Sequence, residues 1–195
     1  MKLSILVPSV PERISLRSRL LHGITQQPGI NDTFEVLVHH SKSEHGDKID
    51  TMVRYALGTH VVIVDDDDWL ADDYASTVLP LISDDVDFVG YKILSMVDGR
   101  YSAIYIHDAQ YTGWQGSFRG VCQKMPIRKE LVVPYGGAGG YWYHRDWEWA
   151  AKVQENVKTW TYVDRELYFH DFWNAPNRAR SVGPWPFDHA LVRWM

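Results

Sequence analysis

The sequence predicts an α/β protein with a mixed sheet flanked by helices. Three short runs near the start, Leu3–Val7, Phe34–Val38 and His60–Val64, have the length and β-branched content of buried strands. Segments with apolar residues at helical spacing separate them, which is the alternation of a βαβ unit. Strands connected in this way end at one edge of the sheet, where open α/β folds bind ligands.

Two helices are predicted between these strands. The first spans Glu12–Gln27. Its inward-facing residues are expected to be Ile14, Leu20, Leu21 and Ile24. The second helix precedes Gly58, which is expected to supply its stop. Its apolar residues at helical spacing are Ile49, Met52, Val53, Ala56 and Leu57.

The second half of the chain alternates less regularly. The dipeptide Asp98-Gly99 is typical of a hairpin turn, so the strands on either side of it should pair in antiparallel fashion and make the sheet mixed. The predicted elements are a helix over Ala71–Ile82, strands over Val86–Val97, Tyr101–Ile106 and Ser117–Lys124, a helix over Ile127–Val132, a flexible loop over Gly136–Gly140, and a helix over Asp146–Val153. The tail from Leu167 to Met195 shows no regular pattern.

The composition limits the class of protein. A length of 195 residues with 45% hydrophobic content suits one domain. A formal charge of −5 argues weakly against a large nucleic-acid-binding surface. The single cysteine, Cys122, excludes an internal disulfide framework and fits a reducing cytoplasm. The sequence has no apolar run of membrane-spanning length, so we expect a cytoplasmic protein without membrane insertion.

The stretch VVIVDDDDWLADD, Val61–Asp73, places four consecutive aspartates at the end of the third predicted strand. Adjacent carboxylates about 4 Å apart repel by about 4 kcal/mol at an effective dielectric of about 20. Solvation, or the start of a following helix, is the simpler explanation of such a run. Its position at a ligand-binding edge favours a cation instead. Carboxylate oxygens suit Mg²⁺ or Mn²⁺, which also bind substrate phosphates.

The side chains of an extended segment alternate between two sides. Asp65 and Asp67 would therefore point to one side of the chain, and Asp66 and Asp68 to the other. The sequence thus predicts a divided acidic run, in which some carboxylates bind ligand and the others support or orient them.

The stretch ALGTHVVIVDDDDWLADDY is similar to the D-x-D-D segment of family 2 glycosyltransferases, which have the GT-A fold. LSILVPSVPER resembles the first strand and nucleotide-binding turn of that family, and GDK, Gly46–Lys48, resembles the start of its second helix. The resemblance covers the first half of the chain well and the second half in patches. It implies a GT-A domain, a Rossmann-like nucleotide-diphospho-sugar transferase fold, with a nucleotide-sugar and metal-binding half over 1–108. Residues 109–195 would form the acceptor-side half and a C-terminal lid.

The resemblance also implies roles for individual residues. The donor-binding residues would be Pro8, Ser9, Arg13, Lys48, Asp65 and Asp66. The metal ligands would be Asp67 and His170, which ends LYFH, a segment that resembles a strand of the family, with Asp171 as an alternative to His170. For Arg13 and Lys48 the simpler explanation is a solvated helix charge. Arg178 and Arg180 are either phosphate clamps in a lid or surface charges.

The stretch GGYWYHRDWEWAAKV resembles the segment in which the family carries its general base, the second acid of a pair at a helix start. That position is Asp146, and Arg145 replaces the first acid of the pair. Glu148 is the alternative base, and helix capping would explain Asp146 without catalysis. Inverting transfer is a single displacement, so it needs one base at the acceptor hydroxyl and a cation on the departing diphosphate.

The function implied is a metal-dependent inverting glycosyltransferase of hexosyltransferase type. Uridine donors are common in the family, which favours a UDP-sugar, although His39-His40 stand where the family often has a base-binding Asp. A glycan or a modified nucleic-acid base is compatible as the hydroxyl acceptor.

Two other functions fit parts of the sequence. A metal-dependent nucleotidyltransferase or phosphohydrolase would use the same acidic strand end, but the chain has no early Gly-rich phosphate loop with a Lys. A non-catalytic carbohydrate-binding protein would use the nine Trp and 11 Tyr residues as a stacking surface.

Overall fold

The computed structural model describes residues 1–30, 32–97, 100–135, 146–172 and 190–194. Within them the fold is α/β with a mixed sheet flanked by helices, which confirms the predicted class. The strands are β1 (Leu3–Ser9), β2 (Phe34–His40), β3 (His60–Ile63), β4 (Trp69–Leu70), β5 (Phe88–Val97), β6 (Arg100–His107), β7 (Trp114–Gln115), β8 (Phe118–Arg119), β9 (Ile127–Arg128), β10 (Trp160–Phe172) and β11 (Ala190–Trp194). The helices are α1 (Ile14–Thr25), α2 (His45–Tyr55), α3 (Tyr74–Val78), α4 (Lys129–Val132) and α5 (Asp146–Gln154).

The βαβ opening is confirmed. Strand β1 lies between β2 and β3 and pairs with both in parallel, with Leu3 beside Phe34 on one side and His60 on the other. Every residue of β1 is buried, because the sheet continues on both sides and the chain covers both faces. The carboxyl ends of β1 and β3 therefore lie next to each other. Beyond β2, the strand β11 forms an antiparallel edge that no sequence pattern predicted.

The second half of the sheet is mixed, as predicted. Strands β5 and β6 form the expected antiparallel hairpin. The short strand β9 pairs with β3 and with the start of β5, so it joins the two halves of the sheet. Strand β10 runs parallel to β5 and antiparallel to β4, which places Tyr168 opposite Leu70. The chain thus returns to the turn that carries the aspartates.

The tail, in which the sequence shows no regular pattern, begins within β10: Leu167–Phe172 belongs to that strand, as the resemblance of LYFH to a strand of the family implied. The strand is interrupted by register shifts against β5 around Glu166, so its side chains do not alternate evenly along the sequence. This irregularity hides the strand from a pattern search.

Three element predictions need correction. The helix expected over Ala71–Ile82 is only α3 followed by a 3-10 turn over Leu79–Leu81, since Pro80 has no N–H to continue an α-helix. The strand expected over Ser117–Lys124 is only β8, after which the chain leaves the sheet. The helix expected over Ile127–Val132 begins as β9, because Val61 is available to pair with Ile127.

Two residues predicted to face inward are exposed. Ile14 is 61% exposed because α1 begins with it, after a 3-10 turn that has not yet brought the chain over the sheet. Leu57 is 54% exposed because α2 ends at Tyr55 and the connection to β3 is extended. Leu20 and Ile24 are buried as expected. None of the helices in the described parts of the chain has the length and apolar character to cross a bilayer.

Gly58 has a different role from the predicted helix stop. The left-handed conformation of a glycine cap is absent there, and a Cβ at this position would lie 2.6 Å from the backbone of Leu3 and of Ser4. The connection before β3 is also held by Glu35, whose carboxylate accepts hydrogen bonds from Ser4 Oγ and from the Leu57 N–H, both at 2.6 Å. Gly58 is thus needed for close approach to β1.

This close approach predicts opposite effects of alanine at two glycines. Gly58→Ala should lower the free energy of unfolding by about 1–3 kcal/mol, because backbone atoms of β1 have to move. Gly23→Ala is the matched control: Gly23 lies within α1 with nothing within 4 Å of the point that a Cβ would occupy, so the change should raise stability by about 0.5–1 kcal/mol. Urea denaturation measures both, and an unchanged Gly58→Ala midpoint would contradict the packing argument.

Candidate functional site

The four aspartates lie in a turn at the carboxyl ends of β1 and β3. Strand β3 ends at Ile63, and the Asp68 N–H donates to the Asp65 carbonyl at 3.1 Å. Because the chain turns here, the side chains do not alternate as in a strand. Asp65 and Asp68 share one cation, and Asp66 and Asp67 share another, so the predicted division into Asp65 with Asp67 and Asp66 with Asp68 was wrong.

Arg13 neutralises the pair formed by Asp66 and Asp67. Its Nη1 lies 2.6 Å from Asp66 Oδ1 and its Nη2 lies 2.5 Å from Asp67 Oδ2. Asp66 is 1% exposed and also accepts a 2.6 Å hydrogen bond from Ser9 Oγ. Burial raises the pKa of Asp66 to about 6, because Ser9 and Arg13 offset only part of the lost solvation. Arg17 in turn donates to Ser9 Oγ at 3.1 Å, so the turn after β1 and the start of α1 are tied to the aspartates.

Lys124 neutralises the pair formed by Asp65 and Asp68. Its Nζ donates to Asp65 Oδ2 and Asp68 Oδ2, each at 2.6 Å, and to the Tyr168 hydroxyl at 2.9 Å. The Tyr168 hydroxyl donates to Asp68 Oδ2 at 2.5 Å. Burial opposes the charge of Lys124, but the two carboxylates outweigh it and raise its pKa.

The two carboxylates of this pair differ. Burial by itself would raise the pKa of Asp65, but the Lys124 ammonium outweighs it and holds that pKa far below its usual value. Asp68 is fully buried, and burial raises its pKa to about 7 in spite of Lys124. Asp65 keeps 27% of its side chain exposed, so it is the member of the pair that a ligand can reach.

Lys48 supplies a third cation at this edge. Its Nζ donates to the Ser9 carbonyl at 2.7 Å, and the side chain is 3% exposed. Burial lowers the pKa of Lys48 to about 8, although the nearby Asp66 carboxylate favours the charged form. The explanation of Lys48 as a solvated helix charge is therefore wrong. Arg13 is also not a solvated charge, because it bridges two carboxylates.

The remaining predicted residues lie around this turn. Pro8 is buried in β1 beside His39 of β2. His170 is half-buried on β10, and its charge contributes to the low pKa of Asp65. Asp171 meets the turn through its backbone, since its N–H donates to Asp68 Oδ1 at 3.0 Å.

An aromatic stack covers the outer side of the turn. The rings of Trp69 and Phe169 lie parallel with centroids 5.6 Å apart, and the Arg19 guanidinium lies 5.2 Å from the Trp69 ring. Arg19 also donates to the Asp67 carbonyl at 2.9 Å. The stack fastens β4 and β10 to α1.

The acceptor-side predictions lie largely outside the described residues. Helix α5 begins at Asp146, which agrees with the predicted helix, but the Asp146 side chain is outside the described part. Glu148, the alternative base, is half-buried. Arg145, the loop over Gly136–Gly140, Arg178 and Arg180 are also outside it.

The described side chains include no group of three or more His, Cys, Asp or Glu that could hold a metal ion. A cation held by the protein alone is therefore not supported in this part of the chain. The turn does fit a cation that is also bound by substrate, since Mg²⁺ takes one or two carboxylates and completes its shell with phosphate and water. Asp67, on the turn and 21% exposed, could hold it in this way.

Sequence reasoning missed Lys124 and Tyr168. Lys124 lies 56 residues beyond Asp68 in the chain, in a segment predicted as a strand, and no spacing connects the two. Tyr168 lies within LYFH, the segment singled out for His170. A buried tyrosine needs a partner for its hydroxyl, so this was the available signal.

The comparisons with known proteins show the fold. No family model and no curated protein matches the chain. The structure is similar to the crystal structure of S. aureus TarS 1-349, with a TM-score of 0.68 and 15% identity over 88% of this chain and 60% of that chain. The complex of TarS 1-349 with UDP has a TM-score of 0.69 and 15% identity over 88% of this chain and 61% of that one.

A third similar structure is the mannosyltransferase PcManGT from Pyrobaculum calidifontis in complex with GDP-Man and Mn²⁺. It has a TM-score of 0.59 and 16% identity over 91% of this chain and 58% of that chain. The chain therefore spans about 60% of the length of the TarS chain that it matches. The mixed α/β fold is one that also occurs in proteins bound to UDP or to GDP-Man.

The lowered pKa of Lys48 predicts a pH-dependent contribution to stability. At pH values below about 8 the folded and unfolded states both carry the proton, and the folded state bears a buried charge. Between about 8 and the ordinary value of 10.5 the unfolded state binds more protons, so stability rises with pH. Wild type should therefore gain in free energy of unfolding relative to Lys48→Met as the pH rises from about 7 to about 10.

Urea denaturation of the two proteins at matched pH measures this gain. Since they differ at a single titratable group, the difference isolates Lys48. If the difference in free energy of unfolding between wild type and Lys48→Met does not change with pH, the lowered pKa of Lys48 is contradicted.

Proposed function

We propose that this protein is a metal-dependent inverting glycosyltransferase that moves a sugar from a nucleotide-diphosphate donor to a hydroxyl acceptor. The observation that carries the proposal is the turn after β3, where two partly exposed carboxylates, those of Asp65 and Asp67, and the cations Arg13 and Lys48 meet at the carboxyl ends of parallel strands. Such an edge is where α/β folds bind ligands. The fold shared with proteins bound to UDP and GDP-Man supports the same proposal.

The donor would be held by charge complementarity. Arg13 and Lys48 lie beside the β1 turn, where positive charge favours a diphosphate. Asp65 is the partly exposed carboxylate that would contact the sugar nucleotide, and Asp66 holds Ser9 and Arg13 in place. Residues 1–108 would then form the donor half and 109–195 the acceptor half. A UDP-sugar is the first donor to test.

A divalent cation would be bound by Asp67 together with the donor diphosphate, with His170 or Asp171 as further candidates. When bound it stabilises the negative charge that develops on the leaving diphosphate. Mn²⁺ accompanies GDP-Man in the PcManGT structure, and Mg²⁺ has the same preference for oxygen ligands. Arg13 holds Asp67 in the structure, so it has to release that carboxylate, and the diphosphate offers it an alternative partner.

Asp146 would act as the general base. It would take the proton from the acceptor hydroxyl while that oxygen forms a bond to the anomeric carbon. The bond between the anomeric carbon and the diphosphate oxygen breaks in the same step, its electron pair stays on that oxygen, and the nucleoside diphosphate leaves. No enzyme nucleophile is needed, and the anomeric configuration inverts. The location of Asp146 at the start of α5 is compatible with this role.

The first experiment is a thermal-shift screen of UDP-, GDP-, dTDP- and CDP-sugars with and without Mn²⁺. A donor at about 100 times its Kd stabilises the folded state by about 2.7 kcal/mol, so a shift that requires Mn²⁺ identifies the donor.

The variant Asp146→Asn should keep this thermal shift and lose about 100-fold or more of the transfer rate, because its amide side chain cannot accept the proton. Glu148→Gln is the matched control, with turnover expected near that of wild type.

Turnover by Asp146→Asn at the wild-type rate would contradict the assignment of Asp146 as the general base.

Product analysis distinguishes the related reactions. Transferred sugar with free nucleoside diphosphate supports the proposal, whereas pyrophosphate or phosphate identifies a nucleotidyltransferase or phosphohydrolase. Glycan binding without nucleotide binding would identify a carbohydrate-binding protein.

The contact of Arg13 with Asp67 predicts two opposite effects of Arg13→Gln. Nucleotide-free protein should bind Mn²⁺ about tenfold more tightly, because the cation no longer competes with a guanidinium for Asp67. Binding of UDP should weaken by a similar factor, because one phosphate partner is lost. Arg54→Gln changes an exposed arginine of α2 and should alter neither. Electron paramagnetic resonance measures Mn²⁺ binding, and calorimetry measures UDP binding. Equal Mn²⁺ affinity in wild type and Arg13→Gln would contradict the competition between Arg13 and Mn²⁺ for Asp67.

A further inference from the structure

Lys124 has no part in the proposed function as stated above. We propose that Lys124 is a positioning residue that holds the Asp65 carboxylate in the orientation required for donor binding. The inference rests on the proposed function, since it assigns a role to Lys124 in the same site. It comes from the contacts of the ammonium and from the way its backbone is held.

The hydrogen bonds of the ammonium are complete. A lysine ammonium has three donors, and those of Lys124 point to Asp65 Oδ2, Asp68 Oδ2 and the Tyr168 hydroxyl. The Tyr168 hydroxyl donates to Asp68 and accepts from the Lys124 ammonium and from the Asp65 backbone N–H at 3.3 Å. A network in which each member is satisfied permits one arrangement of its side chains. The Asp65 carboxylate is therefore held at one oxygen by the protein.

The backbone of Lys124 is also fixed. Its carbonyl accepts a 2.6 Å hydrogen bond from the hydroxyl of Tyr91, which is fully buried. The neighbouring carbonyl of Gln123 accepts from the Ile63 N–H at 2.9 Å. Ile63 is the last residue of β3, two positions before Asp65. Lys124 is thus attached to the strand that presents the aspartates.

The exposures of the two carboxylates distinguish positioning from simple charge neutralisation. Asp68 is fully buried, and its carboxylate would be enough to neutralise the Lys124 ammonium. Charge neutralisation therefore does not require the contact of Lys124 with Asp65. Asp65 is 27% exposed, and its other oxygen, Oδ1, lies 4.0 Å from Nε2 of His45, the first residue of α2. The ammonium therefore joins a buried anchor to a carboxylate that a ligand can reach. This is the arrangement expected when a buried group orients a binding residue.

The test separates stability from donor binding. Lys124→Met leaves the Asp68 carboxylate buried without its cation, and this single variant is expected to lose thermal stability. Adding Asp68→Asn removes that charge, so Lys124→Met with Asp68→Asn should regain a midpoint above that of the single variant. Its Kd for the UDP-sugar with Mn²⁺ should nevertheless rise about tenfold or more, because Asp65 has lost its anchor. Lys129→Met is the matched control, since that lysine donates to the carbonyl of Ala56, which precedes β3 and lies at the end of the strand away from the aspartates.

Lys124→Arg provides a second measurement in a variant that keeps the charge. It should fold and raise the donor Kd severalfold, because a planar guanidinium cannot reproduce the three contacts. Wild-type donor affinity in either Lys124→Arg or the double variant would overturn the positioning role and leave the proposed function intact. Absence of donor binding by wild type would instead overturn the proposed function, and the positioning role with it.

Discussion

Four consecutive carboxylates at the end of a buried strand have to be neutralised, and much of the structure is organised around that requirement. Arg13 reaches the turn from the start of α1, and Lys124 reaches it from the segment before β9. Tyr168 arrives on β10, the strand that returns beside β5. Elements from the beginning, middle and end of the described chain thus meet at one turn, because each contributes a group that the acids need.

The two cations neutralise the turn in different surroundings. Lys124 is 11% exposed and bonded to a fully buried aspartate, whereas Arg13 is 24% exposed and bonded in part to the partly exposed Asp67. A buried ion pair is costly to break, while a partly exposed one exchanges its partner at a smaller cost. The ion pair of Lys124 with Asp68 is therefore suited to a permanent structural role. The ion pair of Arg13 with Asp67 could exchange Asp67 for an anionic ligand at a smaller cost.

The opposite edge of the first sheet segment is held by a different set of contacts. There Glu35 accepts hydrogen bonds from Ser4 and from the connection after α2, and Gly58 allows that connection to lie against the backbone of β1. These contacts hold β1, β2 and β3 in register at their starts. A fixed register at one edge is what places Ser9 and the aspartate turn side by side at the other.

The α/β class, the βαβ opening, the β5–β6 hairpin and the position of the aspartates after the third strand could all be predicted from the amino-acid sequence. These follow from local patterns: apolar runs of strand length, helical spacing, and turn residues. The sequence also singled out Ser9, Arg13 and Lys48, which lie close to β1 and β3 in the chain. It was wrong where a boundary depended on neighbours, as for the segment from Ser117 to Val132.

The pairing of carboxylates with cations depends on contacts between distant parts of the chain. The turn after β3 pairs Asp65 with Asp68, whereas alternation along a strand would have separated them. The partner of that pair, Lys124, is 56 residues from Asp68, and Tyr168 is 100 residues from it. Contacts over such distances depend on the path of the whole sheet, and no local spacing encodes them.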